Sequence, residues 1–157
     1  MKDCNYVIHL DSPFDIWSPK HEDEFVKPAV EGTKSILKAC EKYGVKRLVV
    51  TSSTACIVDC WEKTHDYNES DWCTYDDSIT AFPKSKYLQE KLVWDYWNSL
   101  NPNSRFECVT LCPGFMIGPT LTPESFAAQR WLQTIMDGSM RLVPDLYMTL
   151  VDVRDVA

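Results

Sequence analysis

Glycine is scarce in this 157-residue chain: there are five, none in a G-x-G-x-x-G or G-x-x-G-x-x-G series. The sequence therefore lacks the tight turn whose backbone N–H groups, with the helix that follows, cradle phosphate groups. Basic runs are lacking too. None exceeds two residues and the formal charge is −7, which argues against a surface that tracks nucleic-acid phosphates or an anionic membrane. No apolar stretch reaches the length of a membrane span, and the run Tyr6 to Leu10 behind the N-terminus is too short for a signal peptide. The seven cysteines include no C-x-x-C pair, and their odd number leaves at least one unpaired in any disulfide scheme. A reducing compartment is the simpler assumption, and the chain reads as cytoplasmic. Cys56-x3-Cys60 and Cys108-x3-Cys112 lack the tight loop spacing of structural zinc sites, so no metal is expected and these cysteines read as small buried hydrophobes. The six tryptophans read as core and loop anchors rather than a ligand cage.

What is present suits one globular domain over residues 1–157, with 45% hydrophobic and 12% aromatic residues. Tyr6 to Leu10 forms a compact apolar run closed by Asp11-Ser12-Pro13, the pattern of a short buried strand. From Glu22 to Tyr43 apolar residues Phe25, Val26, Val30, Ile36, Leu37 and Cys40 keep helical spacing, with Gly44 as the C-terminal stop and Pro28 in the first turns. Leu48-Val49-Val50 is a second strand ended by Thr51-Ser52-Ser53. The stretch from Asp59 to Thr80 has no clear period and reads as a long loop of the kind that often carries function. Helical spacing returns from Pro83 to Leu100, a third strand runs from Phe106 to Leu111, and a loop spans Pro113-Gly114 to Gly118-Pro119. A helix from about Ser125 to Asp137 and a strand from Tyr147 to Val151 close the series. Alternating strands and helices predict an α/β fold with a parallel sheet.

Four segments in order carry a resemblance. They are Tyr6-Val7-Ile8-His9-Leu10 with Ser12-Pro13-Phe14; Lys27-Pro28-Ala29-Val30-Glu31-Gly32-Thr33 with Leu37-Lys38-Ala39-Cys40; Gly44-Val45-Lys46-Arg47 running into Thr51-Ser52-Ser53; and Val151-Asp152-Val153-Arg154-Asp155-Val156-Ala157. Together they resemble the extended short-chain dehydrogenase/reductase family, in its dihydroflavonol, anthocyanidin and cinnamoyl-CoA reductase branch. The resemblance implies an incomplete Rossmann-like parallel sheet with helices on both faces and the N-terminal βαβ half missing. It implies NADP or NAD as cofactor, with binding impaired in this chain, and a small carbonyl or alcohol substrate. Loss of the preceding strand would bare a sheet edge at Tyr6 to Leu10, through which self-association is expected.

Members of that family reduce a carbonyl with a Ser-Tyr-Lys set: the serine hydrogen-bonds the substrate oxygen, and the lysine holds the nicotinamide ribose and lowers the tyrosine pKa. Ser53 matches the serine, although such a residue also serves as a cap or turn. Lys86, in Phe82-Pro83-Lys84-Ser85-Lys86, matches the lysine against the plain reading of an exposed helix lysine. Phe82 stands where the tyrosine belongs and has no proton to give. Tyr75 and Tyr87 are not obvious substitutes, the latter lying five positions on and so about 140° around the helix. Asp11 departs from the small apolar residue usual there, and reads equally as a charge that disturbs the cofactor or as a turn residue. The resemblance carries cofactor contacts onto Leu10, Ser12, Lys86, Pro113, Gly114, Phe115, Met116 and, more loosely, Ser125. The implied function is a partial or degenerate NAD(P)-dependent oxidoreductase acting on CH–OH or carbonyl groups. The alternative is a non-catalytic relative that binds a ligand or a partner.

Overall fold

The computed structural model of the chain describes residues 1–10, 12–14, 21–58, 66–121, 127–142 and 148–157. Its centre is a three-stranded parallel sheet of β1 (Tyr6–His9), β2 (Arg47–Thr51) and β3 (Glu107–Leu111), in that order. Tyr6 pairs with Arg47 and Arg47 with Glu107, so the strands run in step and end together near His9, Thr51 and Leu111. Between them run α1 (Asp23–Tyr43) and α2 (Ala81–Ser99), which pack on each other.

The stripe of α1 that turns inward is Phe25, Ala29, Thr33, Leu37 and Cys40, spaced at one turn as an amphipathic helix requires. Val26, Val30 and Ile36, expected in the same stripe, lie half-buried beside it. Pro28 sits inside the helix, and Gly44 ends it at φ 64°, its N–H closing on the carbonyls of Cys40 and Glu41. Only glycine adopts that left-handed conformation without steric cost. α2 begins two residues before the expected Pro83, which therefore lies in its first turn, where a missing N–H has no helical partner to lose. A Lys84–Glu22 ion pair of 2.8 Å ties the two helix starts together.

Leu37 and Cys40 of α1, Val93 of α2, Leu48 and Val50 of β2, and Val45, Leu100 and Phe106 form the core. Strand alternation places Val7, Leu48, Val50 and Cys108 on this side. The other side carries Tyr6 and Ile8, each 67% exposed, together with Val109 and Leu111. Among the described residues α1 and α2 share one face of this sheet. That leaves apolar positions of the second face open to solvent.

Two elements depart from the sequence reading. The segment after Pro113-Gly114, expected as loop, holds β4 (Phe115–Ile117), which pairs in parallel with β5 (Leu150–Asp152). Flanking turn residues dominate the local pattern there, while the partner strand lies far along the chain, so the pairing has no local signature. β5 itself starts later than the expected Tyr147, a residue outside the described set. It runs directly into the short helix α4 (Val153–Val156), capped by the Asp152 carboxylate accepting from the Arg154 N–H at 2.8 Å. The intervening helix α3 is described over Ala127–Met136 and packs on β4.

Candidate functional site

At the carboxyl ends of β1, β2 and β3 lies a cavity of about 1790 Å³. Ligands of open α/β sheets bind at this end, because the strands stop there and the connections diverge. Ser53, Phe82 and Lys86 all line the cavity, as do Leu10, Ser12, Pro113, Gly114, Phe115 and Met116. Ser125 and Asp11 lie outside the described residues.

Lys86 is buried, 6% exposed, and its Nζ donates to the Thr51 carbonyl at 3.1 Å and to Gln89 Oε1 at 3.2 Å. The first bond ties the ammonium to the end of the strand that presents Ser53. Ser53 has extended backbone, φ −161° and ψ 152°, and its Oγ accepts from the Ala55 N–H at 3.1 Å, capping a 3-10 turn over Thr54–Cys56. Serine thus performs the capping role and faces the cavity as well. Having accepted from Ala55, the hydroxyl keeps its hydrogen for an oxygen in the cavity. Phe82 sits at the start of α2 with its ring 4.8 Å from that of Phe14, edge to face at 68°. Among the described residues, Tyr67 is the tyrosine that lines the cavity, whereas Tyr87 is packed between Trp72 and Tyr75.

Ser12 Oγ is buried and has no hydrogen-bond partner among the described residues. An orphaned hydroxyl of this kind costs about 1–3 kcal/mol until a ligand or water satisfies it. Its place on the cavity wall fits a polar ligand there. Gly114 is explained differently. A Cβ on it would lie 2.3 Å from Thr149 Oγ1 and 2.4 Å from the Thr149 carbonyl oxygen, so glycine is needed for the close approach that joins β4 to the residue before β5. The neighbouring Phe115 N–H donates to that same carbonyl at 2.7 Å, and the Pro113 carbonyl accepts from Thr54 at 3.0 Å.

The site also contains groups that the sequence reading left without a role. The buried face of α2 is largely polar: Ser85, Lys86, Gln89 and Glu90, with Val93 beyond. Expected aromatic positions Tyr87, Trp94 and Trp97 are half-buried at its flanks. The Glu90 carboxylate accepts from Ser52 Oγ, from Thr110 Oγ1 at 3.0 Å, from Cys112 Sγ at 3.4 Å and from Trp94 Nε1 at 3.4 Å. Burial, then the Glu90 carboxylate, pushes the Cys112 thiol up to about 12. Burial raises the Cys56 thiol further, against an opposing hydrogen bond from Ser52. The remaining signal in the sequence was four polar residues at positions 85, 86, 89 and 90, which share one helix face.

Residues 1–138 match the 3-beta hydroxysteroid dehydrogenase/isomerase family. The NADPH-dependent methylglyoxal reductase GRE2 of Saccharomyces cerevisiae is 31% identical over 99% of this chain and 51% of its own length. Dihydroflavonol 4-reductase of Gerbera hybrida is 35% identical over 76% of this chain and 33% of its own. The structure of yeast methylglyoxal/isovaleraldehyde reductase Gre2 complexed with NADPH superimposes with a TM-score of 0.84 at 29% identity, covering 99% of this chain and 51% of that one. The chain thus spans about half the length of the yeast relatives it matches. With the parallel sheet and the cavity at its carboxyl end, these matches show that the chain belongs to the 3-beta hydroxysteroid dehydrogenase/isomerase family of the extended short-chain dehydrogenases/reductases.

Proposed function

We propose that the chain forms the substrate-activating side of an NAD(P)H-dependent reductase of ketones or aldehydes. The observation that supports this most is the tethering of Lys86 Nζ to the Thr51 carbonyl, two residues from Ser53 on the wall of one cavity. When bound, the nicotinamide cofactor supplies the hydride. Lys86 would hold its ribose, and the orphaned Ser12 hydroxyl would meet a polar group of cofactor or substrate. Ser53 Oγ–H would donate to the carbonyl oxygen and stabilise negative charge as it grows. Phe82 confines the substrate but holds no proton, so the final protonation falls to water, and turnover drops by a factor on the order of 100 to 10,000 relative to a tyrosine. The apolar lining from Leu10, Phe14, Phe82 and Trp131 suits an organic carbonyl compound and excludes water from it. Free thiols at the described cysteines fit a reducing compartment, and we read the protein as cytoplasmic.

Titration with NADPH, followed by its fluorescence, tests the reading. Weak, saturable binding that Lys86→Met weakens further is expected, and Phe82→Tyr should raise NADPH oxidation with an aldehyde by about 100-fold or more. No binding at millimolar NADPH would overturn the reading in favour of a non-catalytic, ligand-binding relative.

A further inference from the structure

Behind Lys86 the buried polar face of α2 continues away from the cavity as a chain of hydrogen bonds. Lys86 Nζ donates to Gln89 Oε1 at 3.2 Å; Gln89 Nε2 donates to Thr33 Oγ1 at 2.9 Å; and Thr33 Oγ1 lies 2.9 Å from His9 Nε2. Gln89 is 1% exposed and Thr33 0%, with His9 also buried, so the chain crosses the core between α2, α1 and β1.

Its direction from Lys86 through Gln89 to Thr33 is fixed by chemistry. An ammonium can only donate, so Oε1 of the Gln89 amide must face Lys86 and the NH₂ must face Thr33. Thr33 Oγ1 then accepts from Gln89, which leaves its own hydrogen available to His9 Nε2. A second approach of Gln89 Nε2 to His9 Nε2, at 3.4 Å, brings another donor to the same nitrogen. With the Thr33 hydroxyl and the Gln89 amide both able to donate to His9 Nε2, the arrangement that satisfies all three groups leaves this nitrogen unprotonated and places the imidazole hydrogen on Nδ1. Packing alone does not call for this arrangement. Apolar side chains at positions 33 and 89 would fill the same helix interface without burying four polar groups, whereas a chain that ends on the cavity's ammonium has a use for each of them.

We propose that Gln89 is a positioning residue: backed by Thr33 and His9, it holds the Lys86 ammonium in the orientation that receives a nicotinamide cofactor. The role assigned to Lys86 rests on the reductase reading; the hydrogen-bond chain does not. With one oxygen of an amide and one backbone carbonyl as acceptors, the ammonium is directed from two sides and cannot sweep the cavity as an exposed lysine would.

Nuclear magnetic resonance of the unliganded protein separates the two. In the wild type, His9 should show the Nδ1–H tautomer, and Lys86 should give an ammonium signal that persists against solvent exchange. Gln89→Met, of similar length but without the amide, should lose the Lys86 signal, mix the His9 tautomers and weaken NADPH binding about tenfold. Gln89→Glu keeps an acceptor for Lys86 and should retain its signal, while its second oxygen can no longer donate to Thr33. A wild-type His9 carrying its hydrogen on Nε2 would overturn the proposal, as would an unchanged Lys86 signal in folded Gln89→Met or a lost one in Gln89→Glu. If the wild type fails to bind NADPH, the reductase reading falls, and the resonance measurements still decide the role of Gln89.

Discussion

Glu90 is the residue on which the floor of the cavity depends, because its carboxylate is the common acceptor for Ser52, Thr110 and Cys112 on two strand ends and for Trp94 on its own helix. Removing it strands one buried and three part-buried donors at once. Glu90→Ala should cost about 2–4 kcal/mol in chemical denaturation, and Glu90→Gln, which keeps an acceptor oxygen, about 1 kcal/mol. A neutral Glu90→Ala would show that these donors find other partners. The same carboxylate shapes the chemistry of Cys112. Its thiol is raised from 9.0 to about 12, so the folded state holds this proton more tightly than the unfolded chain does. The stabilisation is complete below pH 9 and is lost as pH rises through about 12. Alkylation at pH 8, mapped by mass spectrometry, should label Cys112 at least about a hundredfold more slowly than exposed Cys4.

Among the elements, α2 breaks the usual rule that a helix buries its apolar side. Its first half turns Ser85, Lys86, Gln89 and Glu90 inward, each with a hydrogen-bond partner in its own helix, at a strand end or in α1. Only beyond Glu90 does Val93 join the apolar core. The same helix therefore serves as wall of the site at one end and as core at the other. The β4–β5 pair depends on a single close approach. Because a Cβ at position 114 would overlap Thr149, Gly114→Ala should push the two strands apart and destabilise the fold by about 1–3 kcal/mol, with the cavity mouth the first region to gain amide exchange. Unchanged exchange at Phe115, whose N–H donates to Thr149, would contradict that expectation.

For the molecule as a whole, the consequence of an α/β sheet with both long helices on one side is an open second face. Tyr6, Ile8 and Leu10 stand 67%, 67% and 68% exposed, and among the described residues β1 is an edge strand whose outer backbone groups are unpaired by the sheet. Apolar surface beside an unpaired edge favours pairing with another copy. Sedimentation velocity should show self-association that grows with concentration, and Ile8→Lys, which charges the face without touching the core, should return the monomer. A wild type that stays monomeric at high concentration would exclude this route. No helix among the described residues is long and apolar enough to cross a membrane.

The positions of β1, α1, β2, α2 and β3 were legible in the sequence because each writes its own period: apolar runs for the strands, one-turn spacing for α1, and Gly44 as a stop. That Ser53, Phe82 and Lys86 line one cavity was legible because a motif fixes them locally. What the tertiary structure alone decided is which polar groups meet. Glu90 reaches Ser52 and Thr110, and Gln89 reaches Thr33, only once parallel pairing of β1, β2 and β3 sets α1 against α2; hydrogen bonds across such distances in sequence leave no periodic trace in it. For the same reason β4 went unread: a three-residue strand is made by its partner, and β5 lies more than thirty residues away.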